Sequence, residues 1–238
     1  MTGFIIGGIG TCIGGLLSIF VRTPSDKVVS CLLSYAAGIM LSIISFDLLP
    51  KAYDVSGFFI VTLGLFCGLL IIFFAEEMIP SRSINKYVGK KQDYFKMGMI
   101  IMVSLSLHNF PEGVALGSSY VYSRSVGIKM GVLIAAHNIP EGMTVGVPLI
   151  MAGVSPLYIL LLTLMTGLPT AFGAVLGEIL GNISNYFIGF CLSSAASSML
   201  YVTANQLIPE ANTLHKGRIK SIFLLLGFIC GCYLSFTT

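Results

Sequence analysis

Long apolar runs alternate with short polar turns along this chain, at about 3–21, 28–49, 57–79, 97–120, 126–152, 156–180, 186–208 and 221–236. A helix rises about 1.5 Å per residue, so roughly 20 apolar residues cross a hydrocarbon core. The pattern predicts an all-α integral membrane protein with eight transmembrane helices, forming one transmembrane domain over residues 3–236. The polar turns include Arg22–Lys27, the 80–96 stretch and His215–Lys220. The 80–96 stretch reads as a basic cytoplasmic loop. Glu76 and Glu77 read as solvated ends of the third span, and His215 as a loop histidine. Glycines 3, 7, 10 and 14 give the first span the small-residue spacing that lets a second helix approach closely.

Composition agrees with that reading. The chain is 55% hydrophobic and 10% charged, with mean hydropathy +0.93, outside the range of ordinary soluble domains. The net charge of +3 needs no nucleic-acid partner, because the basic residues sort by loop. With the N-terminus outside, Arg22, Lys27, Arg82, Lys86, Lys90, Lys91, Lys96, Lys216, Arg218 and Lys220 face the cytoplasm. The other side receives Lys51, Arg124 and Lys129. This asymmetry predicts a cell-membrane, multi-pass protein with both termini extracellular or periplasmic. Met-Thr-Gly-Phe carries no positive charge, so the first run reads as a retained helix rather than a cleaved signal. The six cysteines lie in or beside apolar runs without a C-x-x-C, and read as small buried hydrophobes.

The chain also repeats itself. Residues 36–52 align without gaps to 195–211, ending in Asp47-Leu-Leu-Pro-Lys-Ala and Gln206-Leu-Ile-Pro-Glu-Ala. The two copies lie on the second and seventh spans, an odd number of crossings apart, and so run in opposite directions. Such inverted repeats characterise secondary transporters, which place their site near the midplane. The predicted arrangement is 3+2+3.

The central two spans hold the chemistry: Leu-His-Asn-Phe-Pro-Glu-Gly at 107–113 and Ala-His-Asn-Ile-Pro-Glu-Gly at 136–142. Ionisable groups at bilayer depth are expensive and mark ion or substrate paths. His108 and Glu112 share a helix face, as do His137 and Glu141, with Asn109 and Asn138 one position round. Imidazole nitrogens with carboxylate and amide oxygens form a ligand set for a divalent transition metal such as zinc. Pro111 and Pro140 cannot donate to the carbonyls of Leu107 and Ala136, so both helices are expected to be interrupted there. One such motif alone is as readily a kinked helix with an internally bonded histidine; two copies in neighbouring spans weaken that reading.

Three functions use these residues: a metal transporter, an intramembrane metal-dependent hydrolase, and a non-transporting metal sensor. Zinc proteases use H-E-x-x-H, and H-N-x-P-E-G lacks the second histidine at that spacing. The absence of a sizeable soluble domain disfavours a sensor.

On the paired motifs, the eight spans and the Leu-x-Pro-x-Ala ends, nearly the whole chain resembles the ZIP (Zrt/Irt-like) family of divalent metal transporters, in its short bacterial form. The resemblance implies a transporter rather than an enzyme, with no catalytic cofactor. It implies uptake of zinc, and as further substrates iron, manganese or cadmium, into the cytoplasm. It places one metal on His108, Glu112, His137 and Glu141, and a second on Asn109 and Asn138 with the two glutamates bridging. The expected partners are divalent metal ions and the lipid bilayer, with a homodimer as a further expectation.

The sequence departs from the family pattern in three places. Asn138 stands where relatives often have Asp, Thr170 replaces a span 6 glutamate ligand, and Gln206 replaces an acid before the span 7 Leu-x-Pro-Glu. The 80–96 loop also lacks the family's histidine cluster. The second metal site therefore loses negative charge. Asp47 on the outer end of span 2, and Gln206 and Glu210 on the inner end of span 7, are read either as pore-mouth groups or as helix ends satisfied by water.

Overall fold

A computed structural model describes residues 2–21, 24–77, 89–180 and 184–237. Arg22, Arg82, Lys86, Gly181 and the side chains of Glu76 and Glu77 lie outside them, as does most of the 80–96 loop. Among the described residues the chain is helical throughout, with no strand. In order, the helices are α1 (Thr2–Phe20), α2 (Asp26–Ile43), α3 (Leu49–Glu77), α4 (Lys90–Tyr122) and α5 (Arg124–Ala152). There follow α6 (Pro156–Thr166), α7 (Leu168–Leu180), α8 (Asn185–Val202), α9 (Ile208–Leu214) and α10 (Ile219–Thr237). Among the described residues, five helical stretches are long and apolar enough to cross a membrane: Asp26–Phe74, Lys90–Tyr122, Pro156–Leu180, Asn185–Leu214 and Ile219–Phe236. A shorter apolar helix covers Gly8–Phe20. At 29 residues α5 is long enough, but its polar motif dilutes its apolar run.

Two wide turns join α2 to α3 and α8 to α9. Ile44–Leu48 and Thr203–Leu207 are π-helical: Leu49 N–H donates to Ile44 O and Ile208 N–H to Thr203 O, across five residues. The residue after each turn's closing donor is a proline, Pro50 or Pro209, which has no N–H for the carbonyl four residues back. Widening the preceding turn carries the helix past that missing donor. The helix therefore continues through 50–56, where the hydropathy pattern placed a turn. It kinks at Gly57, whose φ of 75° and ψ of 172° favour glycine over any residue with a Cβ.

The expected interruptions at Pro111 and Pro140 are absent: α4 and α5 run unbroken through both prolines. Span 6 breaks instead, at Gly167, which separates α6 from α7 just before Pro169.

The helices pack in two groups. α1 lies along α5 and α4 along α7, with α4 and α5 side by side and α6 against α1; α3 lies along α8 and α2 along α10. The seam between the groups runs where α4 meets α8 and α2 meets α5. Within each group backbones nearly touch. A Cβ on Gly117 would sit 2.0 Å from Ala174 O, and one on Gly173 2.2 Å from Phe110 O, so α4 and α7 meet where neither has a side chain. The outer surface is apolar where a soluble protein's is polar, while the interior mixes apolar and polar side chains. Phe58, Phe59 and Phe236 are about three-quarters exposed while Ser104, Thr144, Thr163 and Thr203 are wholly buried. Buried hydroxyls back-bond to their own helices, Thr203 to Met199 O at 2.8 Å and Thr163 to Ile159 O at 3.0 Å, which satisfies them without water.

Candidate metal centre

All six motif residues are buried at the contact of α4 and α5. His108, Asn109 and Asn138 show no exposed surface, and Glu112, His137 and Glu141 at most 2%. The pairing is crossed. His137 Nε2 of α5 lies 2.6 Å from Glu112 Oε1 of α4, and His108 Nε2 of α4 lies 3.5 Å from Glu141 Oε1 of α5. The one-turn spacing within each motif thus aligns a histidine and a glutamate on one face, while each finds its partner on the neighbouring helix. His137 Nδ1 donates to Leu133 O at 2.8 Å, which fixes the ring and turns Nε2 toward Glu112.

Several polar atoms here have no hydrogen-bond partner: His108 Nδ1, Asn109 Oδ1, Glu112 Oε2, Glu141 Oε2 and Thr170 Oγ1. Buried polar groups are normally paired, so their concentration around one helix contact marks a place built for a further polar guest. Among the described residues no group of three or more His, Cys, Asp and Glu side chains stands at metal-holding spacing; the chemistry stands as two cross-helix pairs.

Thr170 lies on α7 where it touches α4: a Cβ on Gly113, the residue after Glu112, would sit 2.2 Å from Thr170 O. The position flagged in the sequence as a departed ligand is therefore beside the α4 motif, holding a buried hydroxyl without a bond.

Asp47 and Gln206 occupy equivalent places in the two π turns and are only 4% and 5% exposed. Neither is a water-bathed helix end. Asp47 pairs with Lys51, one turn on along the same helix. Gln206 Nε2 donates to Ser104 Oγ of α4 at 2.5 Å, across the seam between the helix groups. Glu210 is half-buried and lines a cleft of about 420 Å3 with Asp26, Asp93, Tyr94 and Lys96. A second cleft, of about 220 Å3, opens beside Lys51, Asp54, Tyr122 and Ile188. The two clefts lie at opposite ends of α4, with the histidine–glutamate pairs between them.

Sequence reasoning missed three contacts: Lys51 with Asp47, Ser104 with Gln206, and Asn109 Nδ2 donating to Thr166 O at 2.8 Å. The four-residue step from Asp47 to Lys51 was a readable signal. The other two join segments far apart in the chain and left no local trace.

A bundle sheathed in aromatic and aliphatic side chains, with carboxylates and imidazoles paired at its buried centre, is a multi-pass membrane protein organised around an ionisable site. A family model described as ZIP zinc transporter matches residues 83–237. A Stenotrophomonas maltophilia (strain K279a) protein named zinc transporter ZupT is 31% identical over 237 residues, covering 92% of this chain and 88% of its own. The zinc transporter ZupT of Streptococcus mutans is 28% identical over 96% of this chain and 94% of its own, and zinc transporter ZTP29 of Arabidopsis thaliana 29% over 95% and 89%. The chain belongs to the ZIP zinc transporter family.

Proposed function

We propose that this protein carries Zn(II) into the cytoplasm, through a centre formed by His108, Glu112, His137 and Glu141 between α4 and α5. The observation that carries the reading is the crossed histidine–glutamate pairing in a fully buried site. An arriving cation replaces each imidazole–carboxylate contact by two bonds to itself, and two carboxylates offset its charge in a medium that penalises a bare ion. The Leu133 carbonyl holds His137 so that Nε2 is the nitrogen offered. Iron, manganese and cadmium suit the same donors, and competition would rank them.

In this reading the eight spans are α1, α2 with its π turn, α3 beyond Gly57, α4, α5, α6 with α7, α8 with α9, and α10, arranged 3+2+3 in sequence with both termini outside. Asp47 then stands on the approach from outside, and Glu210 in the cytoplasmic cleft. A second ion is held weakly at most, because Asn138 and Thr170 add oxygens without charge and the Asn109 oxygen, one position from His108, is shared with the first. Because the site is closed off by some bilayer thickness on each side, transport requires one group of helices to move against the other.

The test is uptake of radioactive zinc into proteoliposomes. Glu112→Ala and Glu141→Ala reduce uptake to the empty-vesicle background while reaching the membrane in normal amount. Wild-type rates in both variants would overturn the assignment.

A further inference from the structure

The break in span 6 leaves a carbonyl to spare beside the centre. Thr166 is the last residue of α6, and the terminal carbonyls of a helix lack the donors a continuing helix would supply. Gly167 N–H turns back to Leu164 O at 3.1 Å, and Thr166 O accepts from Asn109 Nδ2 at 2.8 Å. Asn109 is wholly buried, and its Oδ1 makes no hydrogen bond. An amide is planar and two-faced, donating through nitrogen and accepting through oxygen. Tying the nitrogen to a fixed backbone carbonyl therefore decides which way the oxygen faces.

We infer that the Thr166 carbonyl is a positioning group: it orients the Asn109 amide so that its oxygen, not its NH2, is presented to the cation beside His108 and Glu112. This rests on the metal-carrying reading of the histidine–glutamate centre and adds a requirement to it. The position demands an amide. Charge counting alone favours aspartate here, since a carboxylate attracts a divalent cation more strongly. A carboxylate has no hydrogen to give Thr166 O, so one of its oxygens faces that carbonyl in a buried site, and the side chain turns away from the geometry that binds metal. Outer-shell groups that orient ligands are typically worth on the order of 10–100-fold in metal affinity.

The experiment uses the purified full chain, wild type beside Asn109→Asp, Asn109→Ala and Glu112→Ala. Zinc affinity is measured by isothermal titration at 25 °C, and the melting temperature in EDTA. Asn109→Asp binds zinc at least tenfold more weakly than wild type. Without metal it melts below Asn109→Ala, because alanine leaves Thr166 O merely unpaired whereas aspartate opposes it. An amide with a purely structural role would change the melting temperature and leave the zinc affinity of the folded protein alone. Zinc affinity in Asn109→Asp equal to or tighter than wild type overturns the inference, as does an EDTA melting temperature equal to wild type. The parent reading fails separately, by unchanged zinc affinity in Glu112→Ala, and the melting order in EDTA still decides which group Thr166 O requires.

Discussion

At the scale of single residues, the buried charges are stabilised in different ways. Glu112 and Glu141 each face an imidazole across a helix contact, whereas Asp47 depends on Lys51, whose side chain is 40% exposed against 5% for Asp47. Removing the lysine strands a buried carboxylate, and losing one member of a buried pair costs more than losing both. Lys51→Met is expected to destabilise the protein by roughly 2 kcal/mol, a value discounted for the lysine's exposure. The double variant Asp47→Asn/Lys51→Met recovers most of that. Thermal melts in detergent check the order, and equal loss in the single and double variants would contradict it.

At the scale of elements, glycines set how closely helices approach. Gly117→Val places a methyl pair where the Ala174 carbonyl already stands 2.0 Å from a Cβ. It should separate α4 from α7 and lower stability by more than the ~1–3 kcal/mol usual for overpacking, read as a lower melting temperature and loss of folded protein in size-exclusion chromatography. The same elements show what a sequence discloses. His108, Glu112, His137 and Glu141 stood out because charge inside an apolar run has few bland explanations. The 36–52 and 195–211 repeat was legible because seven of its 17 aligned positions are identical, the closing Leu, Pro and Ala among them. That each histidine would face the other helix's glutamate was not legible, because helix rotation is settled by packing between distant segments. The interruptions were misplaced for a related reason. A missing proline N–H can be absorbed within a helix, as at Pro111 and Pro140, by a π turn, as before Pro50 and Pro209, or by a break beside a glycine, as at Gly167. Local sequence states the missing donor and not the remedy.

At the scale of the whole molecule, the seam between the two helix groups is crossed by polar contacts from α4. Asp26 of α2 accepts from Lys90 Nζ at 2.9 Å and from the Tyr94 hydroxyl at 2.5 Å, and Ser104 accepts from Gln206. If the groups move during transport, joining Asp26→Cys to Tyr94→Cys with a cleavable bifunctional thiol reagent, in a background with the native cysteines replaced by alanine, should stop zinc uptake. Reducing the linker should restore it. Full uptake with the link intact would mean that this end of the seam stays fixed. The paired π turns also keep the two repeated segments in register. A π turn adds a residue to the register of an α-helix, yet the two segments that contain Ile44–Leu48 and Thr203–Leu207 align without a gap. An extra residue carried by one segment alone would put the alignment one residue out of step beyond it. The extra residue therefore belongs to the repeat itself, and Asp47 and Gln206 stand at one repeated position.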